Sequence, residues 1–110
     1  MPTFEDREKS FEAKFKLDQE LQFKATARRN KMLGLWAAGL MGLKGAEAEA
    51  YAREVVEADF ERPGDDDVVE KVQRDLKAKS IERDASQIRK QMQTLLQVAR
   101  QEIMKEQGKQ

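Results

Sequence analysis

Residues 32–45 read MLGLWAAGLMGLKG, and this stretch decides the fold because it holds the chain's longest uncharged run, Met32–Leu43. Its large apolar side chains recur every three or four residues, the period of one helix face: Met32, Leu33, Trp36, Leu40 and Leu43. Glycines follow at positions 39, 42 and 45, and glycine commonly ends a helix. The pattern predicts a helix that packs into a core here and is followed by a tight reversal.

The helix that ends in this stretch is predicted to begin at Phe4. Thr3 and Asp6 resemble a capping box, and no glycine or proline follows until Gly34. Acid–base pairs spaced four apart, with the acid first, also favour a solvated helix: Glu5 with Lys9, Glu12 with Lys16, and Glu20 with Lys24. Residues 16–30 lack a single apolar face, so we expect this part to project from the body.

Two further helices are predicted between the glycines and residue 79. One runs from about Ala46 to Glu61 and is ended by Pro63 and Gly64. The residues of this helix that are expected to face mostly inward are Ala48, Tyr51, Ala52, Val55 and Phe60. The next opens with three aspartates at 65–67, which suit the positive end of a helix dipole. It ends near Lys79 and buries Val68, Val69, Val72 and Leu76.

A fourth helix gives the clearest pattern. Asp84 and Gln87 supply a capping signal, and the helix continues to about Lys105. Its apolar stripe consists of Ile88, Met92, Leu95, Leu96, Ala99 and Ile103. Because short connections favour antiparallel neighbours, the predicted fold class is all-α, an antiparallel four-helix bundle.

Composition argues against several classes of function. The 110-residue chain has 21 basic and 21 acidic side chains, and a net charge of zero disfavours a general nucleic-acid binder. Absence of cysteine and histidine removes most transition-metal sites and the usual nucleophile–base pairs, so we predict no metal site and no enzyme activity. The uncharged run is shorter than the roughly 20 residues of a membrane span. We therefore expect a soluble, cytoplasmic protein without membrane insertion.

The first helix carries a narrow aromatic stripe. Phe4, Phe11 and Phe15 fall within roughly 40° of one another on a helix whose other residues there are mostly charged. Burying all three rings against a partner would release roughly 5 to 9 kcal/mol before the cost of ordering the helix. We interpret the stripe as a partner-facing surface, the alternative being that it folds back on the bundle.

A basic cluster follows on the same helix, where Lys24, Arg28 and Lys31 share a face beside Arg29. Such a cluster can hold a phosphate, a nucleotide or an acidic protein surface. The alternative is that the face pairs with the acidic second helix or is solvated. Nucleic-acid binding through this face ranks below both.

Four motifs in order give a resemblance to a known family. They are FxxRExxFExKF at residues 4–15, FKAxARRNK at 23–31, LGLWAA at 33–38 and YAxEVVxADFE at 51–61. Together they resemble the zeta subunit family, the ATPase inhibitors of alphaproteobacterial ATP synthases. The resemblance covers essentially the whole chain and is most specific in the first sixty residues.

The resemblance implies that the chain has two parts with different roles. Residues 1–18 would form an inhibitory segment, mobile when free, and residues 19–110 a four-helix bundle domain. The segment would become helical on entering an alpha/beta catalytic interface of the ATP synthase head and would block the rotor gamma subunit during hydrolysis. Phe4, Phe11 and Phe15 would be anchors, with polar contacts from Arg7, Glu8, Glu12, Lys14 and Lys16. The protein would be cytoplasmic and peripherally associated with the membrane-bound synthase.

The resemblance also implies a ligand, because some members of the family are thought to bind ADP or ATP. The candidate residues are the basic cluster, Lys24, Arg28, Arg29 and Lys31. No cofactor is expected beyond such a nucleotide. The alternative function is a nucleotide-sensing helical bundle with little inhibitory activity.

Overall fold

The computed structural model of the chain describes the backbone of residues 4–61 and 64–108, and the side chains of residues 19–60 and 64–106. The described residues form four α-helices and no strand. The helices are α1 (Phe4–Leu40), α2 (Ala46–Glu61), α3 (Asp65–Ala78) and α4 (Ala85–Gly108). The predicted all-α, four-helix fold is confirmed.

The reversal after α1 uses two of the three predicted glycines. Gly42 has a φ of 80°, and Gly45 a φ of 56°, both in the left-handed region. The Leu43 amide donates to the Ala38 carbonyl over 2.9 Å and the Gly42 amide to the Gly39 carbonyl over 3.2 Å. These bonds form a Schellman motif, which satisfies the last carbonyls of the helix. Gly39 lies inside α1, so the expectation that it helps to end the helix is wrong.

The start of α4 carries the predicted capping box. The Gln87 amide donates to Asp84 Oδ1 over 2.7 Å, and the Asp84 amide donates to Gln87 Oε1 over 3.0 Å. Two amides at the helix start are thereby satisfied reciprocally. The helix then continues to Gly108, somewhat beyond the predicted end near Lys105.

The core is built from one face of each helix. Its buried members are Leu33, Ala37, Ala38, Tyr51, Val55, Val68, Val69, Val72, Leu76, Ile88 and Met92. Trp36 is partly buried and packs against them. Neighbouring helices are antiparallel. Asn30 of α1 meets Asp59 of α2, and Arg28 of α1 meets Glu106 near the end of α4. The predicted core positions of α3 are all buried.

Among the predicted core residues, Phe60 is exposed. Phe60 is 62% exposed and lies beside the similarly exposed Phe23. Helix periodicity explains the error, because Phe60 follows the buried Val55 by five residues and so points about 140° away from it. The expectation that Phe60 faces inward is therefore wrong.

The expected projection of residues 16–30 is also wrong in part. Ala25, Arg29 and Asn30 are buried, at 1%, 5% and 1% exposure. Small and hydrogen-bonded polar side chains make this contact, and a pattern of large apolar residues does not reveal it. The molecule nevertheless measures 64 × 28 × 22 Å, and a 37-residue helix of roughly 55 Å accounts for most of the long axis.

No described helix combines the length and the apolar content that crossing a bilayer requires.

Candidate functional site

The predicted partner-binding side chains precede the bundle. They are Phe4, Arg7, Glu8, Phe11, Glu12, Lys14, Phe15 and Lys16, and they lie outside the residues whose side chains the structure describes. Their backbone belongs to α1, which begins at Phe4 as predicted. The roles assigned to these side chains remain predictions.

Arg28 joins α1 to the end of α4. Its two terminal nitrogens donate to the two carboxylate oxygens of Glu106 over 2.8 and 3.1 Å, and Glu102 lies 3.5 Å away. The hydrogen bond to Glu106 is the main reason why the pKa of Arg28 is raised. Because this bidentate pair is partly exposed, it adds little to the stability of the fold, and it mainly fixes the orientation of α1 relative to α4.

Arg29 points the other way, into the protein. Its guanidinium donates to Asp65 Oδ1 over 2.9 Å and to Asn30 Oδ1 over 3.0 and 3.2 Å, and Asn30 Nδ2 donates to Asp59 Oδ2 over 3.2 Å. A buried cation needs such partners, and here they tie α1 to α2 and α3. One sequence signal was available: Arg29 precedes the core residue Leu33 by four positions and so shares its helix face.

The other predicted cations are brought together on an open groove of about 500 Å³. Its lining consists of Phe23, Lys24, Ala27, Arg28, Lys31, Val56, Ile103 and Glu106. Lys31 Nζ also lies 3.9 Å from Glu49 of α2, as expected if this face pairs with the acidic helix. The groove offers positive charge for an anion beside the exposed ring of Phe23.

Two exposed rings lie next to this groove. Phe23 and Phe60 are 61% and 62% exposed, and their centroids are 6.0 Å apart. They border a second groove of about 240 Å³, whose other lining residues are Thr26, Ala27, Asn30, Val56 and Asp59. We call Phe23, Val56 and Phe60 the aromatic patch. Sequence reasoning assigned no role to Phe23 and placed Phe60 inside, so it missed this feature.

Tyr51 joins α2 to α3 away from these grooves. Its hydroxyl donates to Asp75 Oδ2 over 2.9 Å, and Lys71 Nζ donates to the same oxygen over 3.0 Å. Burial, and then the hydrogen bond to Asp75, raise the pKa of Tyr51. The hydroxyl therefore keeps its proton and serves the packing of the core. Within the described part of the chain, no group of three acidic side chains is placed to hold a metal ion.

Comparison with known proteins adds the family. The sequence profile described as ATPase inhibitor subunit zeta matches residues 1–102. A solution NMR structure of a protein with 49% sequence identity superposes with a TM-score of 0.68, covering 78% of this chain and 98% of that one. Comparison with curated protein sequences found no match. A profile match over nearly the whole length, on a chain that folds as four helices, shows that the protein belongs to the ATPase inhibitor subunit zeta family.

Proposed function

We propose that this protein inhibits ATP hydrolysis by ATP synthase. Residues 1–18 would insert as a helix into an alpha/beta catalytic interface of the catalytic head and block the rotor gamma subunit, and residues 19–110 would be the domain that carries this segment. Membership of an inhibitor family supports the activity. The geometry of α1 supports the mechanism.

The observation that carries the proposal is that the N-terminal part of α1 extends beyond the ends of α2 and α4. Phe60, in the last turn of α2, meets Phe23, and Met104 of α4 shares a groove with Leu21. Helix α2 thus ends opposite Phe23, whereas α4 runs to Gly108, four residues beyond Met104. Because α1 begins at Phe4, roughly 20 Å of helix extends past the ends of both neighbours.

A helix used as a wedge must be held firmly at its base. Arg29, buried in α1, is bonded to α3, and Asn30 beside it is bonded to α2. Arg28 fixes the same helix to α4. A force applied to the N-terminal segment would therefore be transmitted to all three other helices.

The contact itself would combine apolar anchors with charge. Phe4, Phe11 and Phe15 recur on one face of the helix, and burying aromatic rings is the largest gain that such a segment can make. Arg7, Glu8, Glu12, Lys14 and Lys16 surround them with charges of both signs, which would fix orientation rather than supply most of the affinity.

Hydrolysis by the isolated synthase head of the same organism tests this proposal. Full-length protein should inhibit, and a protein beginning at Gln19 should not. The described core side chains all lie at Ala25 or beyond, so this truncation removes none of them. A full-length F4Q/F11Q/F15Q variant should fail in the same way, whereas M104Q, which removes a side chain that is 65% exposed on α4, should inhibit normally.

A second candidate function is the binding of adenine nucleotide, and the groove that gathers Lys24, Arg28 and Lys31 beside Phe23 favours it. Lys24 and Lys31 would hold the phosphates, Arg28 would first have to release Glu106, and the ring of Phe23 would lie against the base. Arg29 would act only from beneath, because its guanidinium is already engaged by Asn30 and Asp65. In this alternative the bundle senses nucleotide and inhibits little.

Calorimetry with ATP and with ADP tests the second candidate. The wild type should release heat with a defined stoichiometry, a K24Q/K31Q variant should lose most of it, and K90Q, an exposed lysine on α4, should behave as the wild type. Absence of heat with the wild type would remove this candidate and leave the inhibitory one intact.

A further inference from the structure

The aromatic patch lies at the end of the bundle from which α1 extends. Phe23 belongs to α1 itself and Phe60 to the last turn of α2. More than half of each ring is exposed, although the rings are 6.0 Å apart and share a groove with Val56. Exposed, adjacent aromatic rings beside a groove are the kind of surface that partners bury.

The size of the patch limits what can occupy it. Two rings with about 60% of their surface free offer roughly 200 to 300 Å². A stable interface needs about 800 Å² on each partner. The patch is therefore too small to hold a second copy of this chain or an independent protein unaided, but it can enlarge an interface that is already anchored nearby.

The N-terminal segment, which would provide such an anchor, lies on the same helix as Phe23. Phe23 follows Phe15 by eight residues, or about 12 Å along α1. A protein that encloses the N-terminal segment up to Phe15 is thereby brought to the edge of the patch. Because both contacts are on one helix, the second forms at high effective concentration.

We propose that the aromatic patch is a second contact with the ATP synthase head, which meets an apolar surface at the mouth of the interface entered by residues 1–18. The inference rests on the proposed function. The segment determines whether hydrolysis stops, and the patch slows the departure of the protein from the head, so the two contribute to different measured quantities.

The test compares full-length variants in hydrolysis titrations and in binding to the head without added nucleotide. F23Q/F60Q should reach the same maximal inhibition as the wild type, with a half-maximal concentration at least about tenfold higher. F60Q alone should show part of this shift, and it separates the patch from the basic groove, which Phe60 does not line. M104Q is the matched control, since its side chain is equally exposed on α4.

Several results would overturn the proposal. Equal half-maximal concentrations for F23Q/F60Q and the wild type would show that the head does not cover the patch. Stronger inhibition by the variant would mean that the patch covers this chain's own N-terminal segment. Sedimentation showing a wild-type dimer that F23Q/F60Q dissociates would assign the patch to a second copy.

Failure of the proposed function gives a different result. If the wild type bound the head without slowing hydrolysis, insertion of the segment would be wrong, and weaker binding by F23Q/F60Q would still support the patch. If the wild type did not bind the head at all, both proposals would fail.

Discussion

The Cα atom of Ala52 lies 2.5 Å from the position that a Cβ atom on Gly34 would occupy. Helices α1 and α2 therefore approach each other so closely that a single methyl group does not fit between their backbones. Gly34 is in the middle of a helix, where glycine is normally unfavourable. The close approach explains its presence and holds the base of α1 against the bundle.

Gly34→Ala should therefore destabilise the protein. The clash is with backbone, so the helices must move apart, at a cost of about 1 to 3 kcal/mol or more that outweighs the helix propensity of alanine. Gly39→Ala is the matched control, because nothing lies within 4 Å of its Cβ position, and it should gain up to about 1 kcal/mol. Urea denaturation measures both; a neutral Gly34→Ala would show that the helices are farther apart than described.

Arg28 and Arg29 are adjacent in sequence, but their replacement should lower the free energy of unfolding by very different amounts. Arg29→Met removes the donor to Asn30 Oδ1 and to Asp65 Oδ1 and should cost about 2 to 4 kcal/mol. Arg28→Met removes an exposed ion pair and should cost less than about 1 kcal/mol. Thermal or urea unfolding gives the comparison, and equal losses for the two variants would contradict the burial assigned to Arg29.

Tyr51 is the chain's one tyrosine, so its ionisation can be followed directly by absorbance near 295 nm. Its pKa is raised in the folded state by burial and by Asp75, so folding favours the protonated form. The associated stability is complete below the unfolded tyrosine pKa of about 10 and is lost as the pH rises above it. Tyrosinate should therefore appear only together with alkaline unfolding; titration in the folded protein near pH 10 would show that the hydroxyl is accessible.

Tyr51→Phe isolates this contribution. At neutral pH it should cost about 1 kcal/mol through loss of the hydrogen bond to Asp75. Above pH 10 the wild type loses stability that the variant never had, so the difference in free energy of unfolding should shrink. A constant difference across this range would mean that the pKa of Tyr51 is unchanged by folding.

The connection between α3 and α4 contains a residue whose conformation suits glycine better. Ser80 has a φ of 61°, and its amide donates to the Lys77 carbonyl over 2.9 Å just after α3 ends. Ser80→Gly should raise the free energy of unfolding by about 0.5 to 1 kcal/mol, and Ser80→Val should lower it. Opposite signs for these two variants in denaturant titrations are the expected result.

The helices could be predicted from sequence because their signals are local. The bounds of α2 follow from flanking glycines and proline, and the Asp84–Gln87 box marks the start of α4. Phe60 and Arg29 were misplaced, although helix spacing relative to Val55 and Leu33 carries a signal for each. Apolar identity suggested that Phe60 faces inward, and positive charge suggested that Arg29 belongs to a nucleotide-binding cluster. Three-dimensional neighbours reversed both: Val55 uses the inward face, and Asn30 with Asp65 satisfies the buried cation.

The aromatic patch was hidden from sequence for a related reason. Phe23 shares no face with the stripe of Phe4, Phe11 and Phe15, and Phe60 is distant in the chain. Only antiparallel packing of α1 on α2 brings the two rings to 6.0 Å. The basic cluster was partly predictable, because Lys24, Arg28 and Lys31 recur on one helix face and do line one groove.

The most direct measurement is the rate of ATP hydrolysis by the organism's isolated synthase head, titrated with full-length protein and with a protein that begins at Gln19. Inhibition that saturates with the full-length chain and is absent with the truncated one, while both unfold cooperatively at similar temperatures, is the predicted result. Undiminished hydrolysis at saturating full-length protein, or equal inhibition by the truncated chain, would contradict insertion of the N-terminal segment.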